Sequence, residues 1–111
     1  MDNNTFRDFN KMVEFYANLY MTEDIPYTVL GFPSDMDCTS MVLSVGRHSY
    51  YVGATKTKGL VYELGIKTFP DQSFDLENLK LIEYDRNSIM FHYGDNELCL
   101  DLDNPDESYL K

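Results

Sequence analysis

Three side chains that could take part in chemistry lie close together in the last third of the chain. His92, Cys99 and Asp101 fall on one face of a predicted two-stranded hairpin, because alternate residues of a strand share a face. Such a set could bind a metal ion or provide a thiolate nucleophile. A tight metal site needs three or four converging ligands, and two adjacent strands bring only two within reach. We therefore interpret the cluster as ordinary sheet surface and predict neither a catalytic residue nor a metal site.

The sequence carries none of the common catalytic signatures. It has no phosphate-binding glycine loop, no dinucleotide-binding glycine pattern, no serine-hydrolase elbow and no zinc-binding spacing. His48 falls in a predicted turn. The acidic segment 101–107 has Pro at the fifth position of a calcium loop and lacks Gly at the sixth. We therefore predict a protein that is not an enzyme and that needs no cofactor.

The acidic residues near the end of the chain are the stronger functional signal. Carboxylates two residues apart on an extended strand stand roughly 6–7 Å apart, which is close to the ~7 Å between successive phosphates of one nucleic-acid strand. Acidic residues also protect edge strands from aggregation, so both interpretations stay open. The candidate partner-binding residues are Asp95, Glu97, Asp101, Asp103, Asp106 and Glu107.

The charge balance narrows the class of partner. The chain has a net charge of −10, from 19 acidic and 9 basic residues. Such a protein is repelled by nucleic acid and by anionic membranes, whereas a basic protein surface attracts it. Acidity can also serve solubility alone. We expect a basic, nucleic-acid-binding protein as the partner, with no direct contact to nucleic acid or membrane.

The pattern of apolar residues predicts one helix followed by strands. An apolar stripe at helical spacing runs from Phe6 to Tyr20 and predicts a helix over residues 5–21, and Pro26 prevents its continuation. Strands and hairpins follow over 27–103, with a polar loop at 34–40, a break at 69–73 and an acidic tail at 104–111. The last strands place one set of apolar residues on a single face: Ile82, Tyr84, Ile89, Phe91, Tyr93, Leu98, Leu100 and Leu102.

These elements predict an α+β fold in one domain spanning 1–111. The N-terminal helix is expected to pack on a curved, mainly antiparallel sheet of six or seven strands. The chain has 111 residues, 43% of them apolar, which is enough to build one core. Cys38 and Cys99 are expected to be unpaired. The N-terminus lacks the basic and apolar regions of a signal peptide, and no stretch reaches the ~20 apolar residues of a membrane span, so we expect a cytoplasmic protein.

Together these observations favour a non-enzymatic acidic protein that inhibits a nucleic-acid-handling enzyme by blocking its basic surface. DNA mimics and anti-CRISPR inhibitors made by phages and mobile elements act in this way. An immunity protein or antitoxin that caps a toxin would share the same features. A small ligand-binding module or enzyme using the concave sheet face is a third hypothesis, with Tyr50, Tyr51, Tyr62 and His92 as lining residues. A structural subunit of a larger assembly, marked by a self-complementary apolar patch and a stable homo-oligomer, is a fourth.

Overall fold

The computed structural model describes residues 3–34, 38–46, 48–57, 61–69, 72–75, 79–104 and 109–110. It confirms the α+β class, with one helix followed by antiparallel strands. The elements in chain order are α1 (Asn3–Thr22), β1 (Thr28–Phe32), β2 (Cys38–Val45), β3 (His48–Thr57), β4 (Val61–Phe69), β5 (Gln72–Asp75), β6 (Leu79–Tyr84), β7 (Ser88–Tyr93), β8 (Asn96–Asp101) and β9 (Tyr109–Leu110).

The strands form two antiparallel sheets. Sheet A has the order β1-β2-β3-β4-β5, and sheet B has the order β6-β7-β8-β9. The predicted single curved sheet of six or seven strands is therefore not confirmed. In the described residues β5 pairs with β4 and β6 pairs with β7, so the hydrogen-bonded ladder does not continue from Asp75 to Leu79.

Helix α1 follows the predicted apolar stripe for most of its length. Phe6, Phe9, Val13 and Tyr16 are buried, as a helix with one apolar face requires. Tyr20 departs from the prediction and is 44% exposed. The helix also begins at Asn3, two residues before the predicted start.

Three polar or terminal segments belong to strands although the sequence pattern did not predict it. Residues 38–40, predicted as loop, begin β2, where Thr39 is buried and Ser40 pairs with Phe32. Residues 72–73, predicted as a break, begin β5. In the predicted tail, Tyr109 and Leu110 pair with β8. Each segment gains its strand conformation from a neighbouring strand rather than from its own composition.

The helix joins the two sheets around one core. It contacts β1 and β2 of sheet A and β6 of sheet B. The approach to β1 is close at Gly31, where an added Cβ would lie 3.0 Å from the Cβ of Ala17. Buried side chains from α1 and from both sheets then form a single cluster. Among the described residues, no helix is long and apolar enough to cross a membrane.

Candidate functional site

The outer face of sheet B, turned away from the core, centres on His92. Alternation along β7 buries Ile89, Phe91 and Tyr93 in the core, so Met90 and His92 point to the opposite face. The ladder between β7 and β8 sets His92 directly opposite Glu97. The outer face therefore brings an imidazole and a carboxylate together across two strands.

Two carboxylates flank the imidazole of His92. Its Nδ1 lies 3.3 Å from Oε1 of Glu97, and its Nε2 lies 3.8 Å from Oε1 of Glu83 on β6. The Nε2 atom is buried and makes no hydrogen bond to any residue that the structure describes. Protonation of the ring would create two ion pairs. The group is thus one histidine ring flanked by two carboxylates, one on each neighbouring strand.

Cys99 shares this face, as predicted, but the arrangement does not support a metal or nucleophile site. Its position in the ladder is opposite Met90, and its side chain is buried. The described residues contain no group of three or more His, Cys, Asp or Glu side chains placed to hold a metal ion. The structure therefore gives no geometric support for chemistry at His92, Cys99 and Asp101.

The structure separates the predicted acidic row into three parts. Asp95 is exposed in the turn between β7 and β8, after Gly94 with a φ of 54°. Glu97 and Asp101 point to the outer face of β8, four residues and about 14 Å apart along the strand. Asp103 follows β8 in an exposed bend. Asp95 and Asp103 therefore lie just outside β8, one at each end of the strand, and Asp106 and Glu107 lie outside the described residues.

Asp101 is held in place by its own backbone neighbours. Its Oδ1 accepts hydrogen bonds from the backbone N–H of Asp103 at 3.0 Å and of Asn104 at 2.9 Å. Asp85 does the same at the β6–β7 turn, where its Oδ1 accepts from Asn87 at 2.7 Å and Ser88 at 3.0 Å. This turn chemistry fixes each carboxylate at the end of a strand.

Glu83 is an acidic residue of this face that the sequence analysis did not select. The β6–β7 ladder places Leu81 opposite His92 and Glu83 opposite Met90, so both residues point outward. Glu83 is 60% exposed at its side chain. Its alternation with the inward Ile82 and Tyr84 was visible in the sequence, but its approach to His92 depends on the register of the hairpin.

The structure does not bring together Tyr50, Tyr51 and His92, the described residues of the predicted concave ligand site. Tyr50 is buried in the core, whereas its neighbour Tyr51 is 52% exposed on the outer face of sheet A. His92 lies on the outer face of the other sheet, and the side chain of Tyr62 is outside the described residues. The described members of this set thus lie on three different surfaces.

No family model, curated protein or solved structure matches this chain.

Proposed function

We propose that this chain is a non-enzymatic protein that binds and blocks the basic surface of a nucleic-acid-handling enzyme, in the manner of DNA-mimic and anti-CRISPR inhibitors. The observation that carries the proposal is the outer face of sheet B together with its flanking turns. Residues 79–104 contain six acidic residues against Lys80 and Arg86. We call this set the acidic face; its members are Glu83, Asp85, Asp95, Glu97, Asp101 and Asp103.

The geometry of the acidic face suits a broad basic groove rather than a single cation. Its carboxylates come from β6, β8 and three turns or bends, so the negative charge spreads across the sheet in two dimensions. Asp85, Asp95 and Asp103 are exposed, which leaves them available to Lys and Arg side chains of a partner. Since complementary charge accelerates association and guides orientation, such a face would recognise a surface that normally binds phosphates.

Rigidity is the second feature in favour of this proposal. The carboxylates of Asp85 and Asp101 are fixed by backbone hydrogen bonds. A binder that holds its charges in place loses less conformational entropy on association. The three residues 85–87 join β6 to β7, and the two residues Gly94 and Asp95 join β7 to β8, so short turns set the shape of this part of the face.

The first test is capture of a partner from host lysate by the tagged chain, with elution along a salt gradient and, separately, by duplex DNA. We expect a basic nucleic-acid-binding protein that both salt and DNA release. The nucleic-acid-processing activity of that protein should then fall as the chain is added. A captured protein that keeps full activity when saturated with this chain would contradict inhibition.

Matched charge variants decide whether the acidic face is responsible. The triple variant Glu83→Gln, Glu97→Gln and Asp101→Asn removes three charges there and keeps one side-chain oxygen at position 101 to accept the two backbone hydrogen bonds. The control variant Glu14→Gln, Glu23→Gln and Asp24→Asn removes three exposed charges at and after the helix. We expect the first variant to weaken binding at least tenfold and the control to change it less than threefold. Equal weakening of binding by the two variants would mean that the partner responds to the net charge of the chain and not to the acidic face.

A further inference from the structure

In the described part of the chain, four strands lie at the edges of the two sheets: β1 and β5 in sheet A, and β6 and β9 in sheet B. Edge strands expose unpaired backbone N–H and C=O groups, and proteins usually protect them with charged residues, bulges or a short length. Strand β5 contains Asp75, β6 contains Lys80, Glu83 and a bulge, and β9 has two residues. Each of these three edges therefore has at least one such protection.

Strand β1 has none of these protections. Its five residues, Thr28–Phe32, include no charged side chain, and its register with β2 is continuous. Within the described residues it pairs with β2 alone, so its other edge keeps unpaired backbone groups. Leu30 and Phe32 point away from the core and are 56% and 55% exposed. The edge is therefore open for pairing with another extended segment.

Helix α1 runs along the inner side of this edge. Its Ala17 lies over Gly31, where an added Cβ would be 3.0 Å away. Nearer the start of the helix, Oδ1 of Asn10 accepts a hydrogen bond of 2.7 Å from the N–H of Ser34, which follows β1. The helix is thus antiparallel to β1. Met21 lies one turn after Ala17 on the same helix face and is 83% exposed, so an exposed apolar side chain flanks the strand on this side too.

The charges that surround β1 in sequence are acidic. Residues 12–46 contain five acidic residues and no Lys or Arg. Glu14, one turn before Ala17 on the helix, is exposed, and so are Glu23 and Asp24 between the helix and β1. This charge repels acidic segments and nucleic acid, and it attracts basic segments. Charge complementarity therefore requires an occupant that carries Lys or Arg.

We propose that the free edge of β1 binds an extended, basic segment of a partner protein, which adds to sheet A as a further strand. In this mode of recognition, main-chain hydrogen bonds provide affinity and alternate side chains provide specificity. Side chains on one face of the added strand contact Leu30 and Phe32, and those on the other face contact Met21. A segment with apolar residues at alternate positions and Lys or Arg near its ends fits these contacts and the nearby carboxylates.

This inference does not rest on the proposed function. The acidic face lies on sheet B and acts through the charges of its side chains, whereas the edge of β1 acts mainly through the backbone of sheet A. The basic segment belongs to a second partner and binds whether or not an enzyme occupies the acidic face. Added salt should weaken binding of the segment less than binding of the enzyme, because salt screens charges but not backbone pairing or apolar contacts.

The test uses a library of random peptides of about ten residues, long enough to form a strand, displayed on phage and selected on the immobilised full chain. We expect the enriched peptides to contain Lys or Arg, to lack Asp and Glu, and to have β-branched or aromatic residues at alternate positions. The most enriched peptide is then synthesised, and its affinity is measured by fluorescence anisotropy. A selection that enriches no such pattern would overturn the proposal.

Two lysine variants identify the edge that the selected peptide uses. Leu30→Lys places a charge on β1 that protects the edge and repels a basic peptide. Leu81→Lys makes the same change at a leucine that is 50% exposed on the edge strand β6 of sheet B. We expect Leu30→Lys to weaken binding at least tenfold and Leu81→Lys to leave it within threefold. A peptide that Leu81→Lys weakens as much as Leu30→Lys does would contradict the assignment to β1.

Hydrogen exchange locates the bound peptide without any substitution, so it does not depend on how well a variant folds. We expect the peptide to slow exchange of backbone amides within residues 28–32, because pairing gives a partner to amides that have none in the free chain. Thermal unfolding monitored by circular dichroism verifies that Leu30→Lys is folded. Slower exchange within residues 79–101, with no change within 28–32, would overturn the proposal.

Discussion

The hydroxyl of Tyr16 on α1 lies 2.5 Å from the carbonyl oxygen of Asp85 in the turn between β6 and β7. The same hydroxyl lies 3.1 Å from the carbonyl of Ser88, at the other end of that turn. Tyr27, just before β1, donates to the carbonyl of Arg86 at 2.8 Å. The helix and the residue just before β1 thus hold one turn of the acidic face, and two tyrosine hydroxyls make the connection.

Replacing Tyr16 with Phe tests this connection. The substitution keeps the ring and removes the donor, so two turn carbonyls lose a partner in a partly buried position. We expect a loss of about 1–2 kcal/mol in the free energy of unfolding, measured by urea denaturation. The control is Tyr20→Phe, at a position 44% exposed, where we expect a change below about 0.5 kcal/mol. Equal effects would show that the hydrogen bonds of Tyr16 contribute nothing specific.

The raised pKa values of Tyr16 and Tyr27 predict that the protein loses stability in alkali. Burial raises the pKa of Tyr27 to about 12, with Asp103 and Asp85 adding to the rise and Arg86 opposing it. Burial also raises the pKa of Tyr16 well above its ordinary value of 10.0. Since the folded-state pKa values are the higher ones, the contribution to stability is complete below pH 10 and is lost as pH rises through the folded-state values.

The slope of that loss is measurable. Between pH 10 and 12 the free energy of unfolding should fall by up to about 1.4 kcal/mol per pH unit for each tyrosine. Urea denaturation across this range gives the slope of the unfolding free energy against pH. Tyr27→Phe should make that slope smaller by the contribution of one tyrosine. A Tyr27→Phe variant with the wild-type slope would show that Tyr27 is not protected from ionisation by the fold.

The close approach of α1 to β1 predicts a sensitive glycine. A methyl group at Gly31 would lie 3.0 Å from the Cβ of Ala17, whereas at Gly53 on β3 the nearest atom would be 3.8 Å away. We expect Gly31→Ala to lower the free energy of unfolding by about 1–3 kcal/mol through overpacking. Gly53→Ala should be neutral or slightly stabilising, because alanine restricts the unfolded chain. If Gly31→Ala were also neutral, the helix would have room to move away from the sheet.

The contact between His92 and Glu97 predicts a measurable coupling between the two side chains. The Nδ1 atom of His92 lies 3.3 Å from Oε1 of Glu97. We expect a double-mutant cycle with His92→Gln and Glu97→Gln to give a coupling of about 0.5 kcal/mol in the free energy of unfolding. A coupling indistinguishable from zero would contradict a contribution of this contact to stability.

The sequence predicted best the elements whose apolar pattern is regular and local. The stripe through Phe9 and Tyr16 identified α1, and alternation identified the core-facing residues of β7 and β8. It could not predict the division into two sheets, because strand order depends on contacts between residues far apart in the chain. Thr39 was assigned to a loop for its polar surroundings, although pairing with Ala54 on β3 makes it part of a strand.

The acidic face was predictable only in part, for a similar reason. Glu97 and Asp101 were selected on spacing along one strand, and the structure places both on the outer face of β8. The approach of Glu83 to His92 across the β6–β7 ladder was not visible, since a bulge at Leu79 and Leu81 shifts the register there. Spacing along the chain therefore identified the charged strand but not the two-dimensional pattern of charge.

Recognition of the partner by the acidic face is tested most directly by calorimetric titration of the captured partner with the chain and with its charge variants at two salt concentrations. We expect binding that weakens at least tenfold in the Glu83→Gln, Glu97→Gln and Asp101→Asn variant, with a smaller salt dependence than the wild type. We also expect near wild-type binding by the Glu14→Gln, Glu23→Gln and Asp24→Asn control. Wild-type affinity in the first variant, or affinity that does not change with salt, would contradict recognition of the partner by the acidic face.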